Sequence, residues 1–232
     1  MVIGGLLKFS LNDYPGKTSA VIFTRGCNFR CRYCHNPELV LPERYVPQIP
    51  LDEIYSFLES RKGQLDAVCI TGGEPTQHVD LPDVIKKVKE MGFLVKLDTN
   101  GSRPEMLEKI IKEGDIDYIA MDIKAPLDSN SYQKVSRTLL DMSKIKKSID
   151  FIINSGLPHE FRTTIVKSLT GLDDLRKIAE SIKGAQNYFL QKFVPAQKLN
   201  DPTFAKEESY SEEELKKLAV EISTFVKHCR VR

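Results

Sequence analysis

Residues 26–37 read GCNFRCRYCHNP, and in this run Cys27, Cys31 and Cys34 stand at C-x3-C-x2-C spacing. Just upstream, residues 19–24 (SAVIFT) form a short apolar and β-branched run of the kind that fills a buried strand. The thiols therefore sit on a loop leaving the carboxyl end of a strand. Three thiolates suit neither a closed structural zinc site nor a cluster held wholly by protein, since both normally use four ligands. They suit a four-iron cluster with one iron left open to another ligand. His35 is a poor fourth corner for zinc, because it adjoins Cys34 in a site that already crowds three thiolates.

Outward from this loop, β-like runs alternate with amphipathic helical ones. Strands are predicted at Ser19–Thr24, Asp66–Ile70, Phe93–Leu97, Tyr118–Met121, Glu160–Ile165 and Asn187–Phe193. Helices are predicted at Leu51–Arg61, Leu81–Met91, Pro104–Glu113 and Leu172–Ile182, with longer helical patterning through Leu139–Ser155. Such alternation predicts an α/β fold with parallel strands and crossover helices. Six strands fall short of a closed eight-stranded barrel, so the expected architecture is a partial (β/α)6 barrel. A further strand near Gly5–Ser10 is expected at its edge. Ser211 and Glu214 form a capping box that opens a closing helix, with Leu215, Leu218, Ala219, Ile222 and Phe225 on one face. The proline-rich stretch from Asn36 to Pro50 reads as irregular. With no linker or repeat, the chain is expected to be one domain, 1–232, with its core at residues 18–195.

Polar motifs collect where the strands end. The second strand runs into Thr71-Gly72-Gly73-Glu74-Pro75, the third into Asp98-Thr99-Asn100-Gly101, and the fourth into Asp122-Ile123-Lys124. Arg162 interrupts the fifth. Chemistry gathered at the carboxyl ends of parallel strands is the rule for barrels and open α/β sheets. Simpler readings exist for each. The glycine pair could be only a turn, Asp98 to Asn100 a helix cap, Asp122 with Lys124 a surface ion pair, and Arg162 a structural salt bridge. Cys69, within the apolar run AVCI, reads as a packed core thiol.

The totals narrow the setting. A net charge of +2 over 232 residues gives no nucleic-acid footprint. No apolar run approaches the roughly 20 residues of a membrane span, and no signal segment precedes the first motif. Five cysteines, three of them packed together, fit a reducing compartment, so a cytoplasmic location is expected.

With an aromatic residue, Tyr33, just before the third cysteine, the loop resembles that of the radical S-adenosylmethionine (SAM) enzymes. The set TGGEPT, KLDTNGSRP, DYIAMDIKAP and FRTT is most similar to the glycyl-radical enzyme activases, in particular the activating proteins of anaerobic ribonucleoside-triphosphate reductase. The resemblance implies a radical SAM barrel in which Cys27, Cys31 and Cys34 hold a [4Fe–4S] cluster. It implies that Tyr33 and His35 flank the adenine, and that Gly72, Gly73 and Glu74 hold the methionine amino group. Asp98 and Asp122 then belong to a polar cluster beside the SAM carboxylate that can hold a monovalent cation, and Thr99 and Asn100 of the DTNG segment are further cofactor contacts. Lys124 would lie near that carboxylate or the incoming peptide, and Arg162 would be a further SAM contact. The implied activity is reductive cleavage of SAM to a 5′-deoxyadenosyl radical, which takes hydrogen from a glycine of a partner enzyme. Flavodoxin or ferredoxin would be the electron donor. Only Cys69 lies between the loop and the GGE motif, so a single cluster is expected. Two alternatives are a small-molecule radical SAM enzyme, such as a 7-carboxy-7-deazaguanine synthase, and a cluster-bearing electron-transfer or scaffold protein.

Overall fold

The computed structural model describes residues 1–232. In chain order the regular elements are β1 (Ile3–Ser10), β2 (Ser19–Thr24), α1 (Pro37–Val40), α2 (Leu51–Glu59), β3 (Ala67–Gly72), α3 (Leu81–Glu90), β4 (Leu94–Thr99) and α4 (Pro104–Glu113). There follow β5 (Tyr118–Asp122), α5 (Ser129–Ser136), α6 (Met142–Asn154), β6 (His159–Ile165), α7 (Leu172–Ser181), β7 (Asn187–Lys192), α8 (Glu212–Ile222) and β8 (His228–Val231). The chain forms two compact units. One comprises Met1–Asn28, Asn36–Thr99 and Glu105–Ile119, and the other Phe29–His35, Asn100–Pro104 and Ala120–Arg232.

In the first unit β1 lies antiparallel to β2, while β2, β3 and β4 run parallel. The register sets Val21 beside Cys69 and Cys69 beside Lys96. The helices cover the strands with buried stripes at helical spacing: Ile54 and Leu58 from α2, Val84, Ile85 and Val88 from α3, and Leu107 and Ile110 from α4. Each such side chain contributes about 1.5–3 kcal/mol by leaving water. Cys69 is buried too, packed with Tyr14, Val21, Ala67 and Tyr118, as an inert core thiol should be.

In the second unit β6, β7 and β8 run parallel. Its core draws Ile145, Ile149 and Ile152 from α6, Leu175 and Ile178 from α7, and Leu215 and Ile222 from α8. The expected capping box is present: Ser211 N–H donates to Glu214 Oε2 (2.6 Å), and Glu214 N–H donates to Ser211 Oγ (3.1 Å).

Four points of the sequence reading need correction. The helical patterning at 139–155 overshoots, because Asp141 accepts from Ser143 N–H (3.0 Å) and starts α6 at Met142, leaving Leu139 exposed. The preceding helix α5 was hidden by its polar sequence SNSYQKVS; Asp128 caps it through Ser131 N–H (2.9 Å). Phe225 lies beyond α8, in a 3₁₀ turn that leads into an eighth strand. That strand, HCRV, is too short and polar to stand out as one. The stretch from Asn36 to Pro50 is not wholly irregular either: it holds α1 and a 3₁₀ turn at Pro42–Arg44.

Candidate functional site

The first unit carries Cys27 and the GGE turn. Gly73 N–H donates to the Thr24 carbonyl (2.9 Å) and Glu74 N–H to the Gly26 carbonyl (2.8 Å), so the turn is fastened to the residue before Cys27. Glycine is required at both positions for this contact. A Cβ on Gly72, whose φ is +116°, would fall 2.3 Å from Thr24 N, and one on Gly73 would fall 2.0 Å from Gly26 O. The glycines thus serve the approach of two backbone segments as well as any approach to a ligand.

Glu74 is buried, and its Oε1 accepts from Thr76 N–H (3.1 Å), the Thr76 hydroxyl (2.5 Å) and the Thr99 hydroxyl (2.7 Å). The bond from Thr99, expected only as a cofactor contact, and the bonds from Thr76 were not anticipated, since neither threonine carries a signal for pairing with Glu74. These bonds lock the side chain in place and hold the GGE backbone against the end of β4. Asp98, on the opposite face of β4 from Thr99, is ion-paired with Lys96. Lys96, absent from the sequence expectations, is only 2% exposed.

The second unit carries Cys31, Tyr33, Cys34, His35, Asn100, Asp122, Lys124 and Arg162. Its segment 31–35 is tied down at several points. Arg30 and Arg32 N–H donate to the Ser136 and Val135 carbonyls at the end of α5 (2.8 and 3.3 Å). Asn200 donates from Nδ2 to the Cys31 carbonyl (3.0 Å) and from its backbone to the Cys34 carbonyl (3.1 Å). Asp201 accepts from Arg32 Nε (2.9 Å) and from Arg137 (2.7 Å), while its own N–H donates to the Arg32 carbonyl (2.9 Å). The hydroxyl of Thr203, together with Arg32, holds the Asp201 carboxyl down at about 2. Sequence reading missed Asn200 and Asp201, which sit in a loop about 170 residues from the cysteines they restrain.

Tyr33 packs against Phe193 (ring centroids 6.3 Å apart) and is buried. Burial pushes its phenol far above the ordinary pKa. His35 is exposed and donates from Nε2 to the Val194 carbonyl (2.8 Å). Asn100 is buried and accepts from Ser102 N–H (3.0 Å).

Asp122, Lys124 and Arg162 come together as the sequence suggested, but as a shielded triad rather than a surface pair. Asp122 accepts from Arg162 Nε at 2.7 Å and from Lys124 Nζ at 2.9 Å. Burial alone would raise the Asp122 carboxyl; Arg162 and Lys124 overcome it and hold the group well below the carboxylate range. Lys124 is desolvated too, yet Asp122 lifts it well above an ordinary lysine. Tyr132, buried in α5, accepts from Lys124 N–H through its hydroxyl (3.3 Å). Burial pushes the Cys31 thiol up to about 11 against the pull of the Lys124 ammonium.

None of the five cysteines is in a disulfide, so the donor set for a cluster is intact. The residues fit: a three-thiol loop with pinned carbonyls, and a nearby ammonium that favours the thiolate form a metal requires. A parallel α/β architecture with such a loop after its first parallel strand defines an enzyme of the cluster-dependent class. Residues 21–182 match the Radical SAM superfamily, and the chain belongs to it. Membership implies a [4Fe–4S] cluster and SAM as cofactors.

Over its full length the chain is 34% identical to a candidate glycyl-radical enzyme activating enzyme of Methanocaldococcus jannaschii, MJ1227, covering 95% of that protein. It is 29% identical to the pyruvate formate-lyase-activating enzyme of Clostridium pasteurianum over 84% of this chain and 83% of the relative. In fold it is similar to Streptococcus suis SuiB bound to SAM, with a TM-score of 0.65 and 15% identity over 91% of this chain and 51% of SuiB. No helix is long and apolar enough to cross a membrane.

Proposed function

We propose that this chain is a radical SAM activase that abstracts a hydrogen atom from a glycine of a partner enzyme, and that the partner is an anaerobic ribonucleoside-triphosphate reductase. The observation that carries the reading is the full-length similarity to an activating-enzyme relative, together with the strand-end set GGE, DTNG, DxK and Arg162. When bound, the cluster and SAM supply reductive carbon–sulfur cleavage, and with it a carbon-centred oxidant strong enough for a glycine Cα–H bond.

The chain's own residues then have separable tasks. Cys27, Cys31 and Cys34 hold the cluster. Asn200 and Asp201 keep the carbonyls of Cys31, Arg32 and Cys34 in place, which fixes the loop before any metal arrives. The Gly72–Glu74 backbone receives the methionine amino group, held in position by Glu74 with Thr76 and Thr99. Asp98, Thr99, Asn100, Asp122, Lys124 and Arg162 form the polar surroundings of the carboxylate end, with Tyr33 and His35 at the adenine. The whole chain acts as one catalytic domain in the cytoplasm, with flavodoxin or ferredoxin as reductant.

The test is an anaerobic EPR spectrum of reconstituted, reduced protein mixed with SAM and the anaerobic reductase of the same organism. A glycyl-type doublet that requires both SAM and the reductase is the expected result. Formation of 5′-deoxyadenosine with no doublet would retain the radical chemistry and overturn the partner.

A further inference from the structure

The monovalent cation implied by the resemblance does not fit the carboxylates of this chain, because each already has a fixed cation of its own. In the first unit the Asp98 carboxylate is ion-paired with Lys96, two residues earlier on the same face of β4. The Lys96 ammonium is 2% exposed and lies 6.0 Å from the centre of the Tyr118 ring. Cys69 stands beside it in register and packs with Tyr14, Val21, Ala67 and Tyr118. A buried ammonium in such a setting is held by its carboxylate, since leaving either charge alone there is strongly unfavourable. In the second unit Asp122 is bonded to both Lys124 (2.9 Å) and Arg162 (2.7 Å). An added alkali ion at either carboxylate would meet like charge already in contact with it.

We infer that Lys96 is a built-in counter-ion for Asp98, taking the place of a bound alkali cation, so that SAM binding in this protein is independent of potassium and sodium. This rests on the proposal that Asp98 borders the SAM carboxylate. Lys96 is thereby a positioning residue: it neutralises and orients Asp98 without touching the reacting atoms.

Two measurements separate the ideas. The first needs no SAM. Thallium(I), a potassium mimic, is titrated into the holoprotein and followed by ²⁰⁵Tl NMR. The native protein should show no saturable site, and Lys96→Met, which keeps the apolar bulk but removes the charge, should gain one. The double variant Lys96→Met/Asp98→Asn should lose it again, which excludes a general effect of packing. The second is SAM affinity by equilibrium dialysis in potassium chloride against choline chloride at equal ionic strength. The native protein should be indifferent to the salt. Lys96→Met should bind about tenfold more weakly in choline than in potassium, a difference of about 1.4 kcal/mol.

A saturable thallium site in the native protein, or none in a folded Lys96→Met, overturns the counter-ion role. If the thallium results hold but Asp98→Asn leaves SAM affinity unchanged, the counter-ion role stands and the placement of Asp98 beside SAM falls.

Discussion

Replacing Asp201 with alanine should loosen the cysteine loop from a site outside it. The carboxylate accepts four hydrogen bonds: from Arg32 Nε (2.9 Å), Arg137 (2.7 Å), Thr203 N–H (3.1 Å) and the Thr203 hydroxyl (2.7 Å). The Arg137 side chain is 54% exposed, so that bond is screened and contributes about 0–1 kcal/mol. Arg32 is more sheltered, stacked over the Phe204 ring at 4.5 Å, and a charged hydrogen bond of this kind is worth about 1.5–3 kcal/mol. With the local Thr203 bonds partly replaced by water, the total loss is about 2–4 kcal/mol. Urea unfolding of the cluster-free protein measures it directly, and iron content after anaerobic reconstitution measures the effect on the loop. Both should fall, with Asp201→Asn intermediate because it keeps an acceptor but not the charge. The sign with pH follows from the depressed carboxyl. Its contribution is fully present above the unfolded value of 3.8 and is lost as pH falls through about 2. A variant within about 0.5 kcal/mol of the native protein, with full iron, would refute the idea that this loop restrains the cysteines.

Gly73→Ala should cost about 3 kcal/mol or more, because the new methyl would meet the Gly26 carbonyl at 2.0 Å and backbone cannot yield as a side chain can; thermal unfolding reads this out. Asp122→Asn should destabilise by about 3–5 kcal/mol near neutral pH, since it removes the carboxylate that the shielded Lys124 and Arg162 share and leaves Arg162 to the more distant Glu160 (3.8 Å). Because the native Asp122 carboxyl is depressed, that difference should be full above about pH 3.8 and shrink as acid protonates the native group, which acid unfolding of the pair will show. Cys31→Ala should abolish SAM cleavage while leaving far-UV circular dichroism unchanged, and retained cleavage would sink the cluster assignment.

The strands β2 to β7 were legible because their apolar runs are bounded by turn residues. Residues 19–24 and the helix at 104–113 match the sequence reading at both ends. Elements with weak apolar patterning were not legible. Helix α5 buries Tyr132 and Val135 in a polar sequence, and β8 alternates polar with partly buried residues. At the candidate site, residues next to a motif could be read, while those acting across the fold could not. Asn200 and Asp201 reach the cysteine loop from a distant segment. Lys96 resembles any strand lysine until its burial is seen. The glycine pair carried its signal plainly, but only the structure shows that the space their missing side chains leave is filled by the backbone of residues 24–26.

The central claim is that the C-x3-C-x2-C loop holds a cluster that engages SAM. The most direct test is anaerobic EPR of the reconstituted, reduced protein, recorded before and after adding SAM, alongside iron analysis. The account predicts about four irons per chain and a reduced-cluster signal whose g-values shift when SAM is added. Zinc in place of iron, or a cluster signal that SAM leaves unchanged, would contradict it.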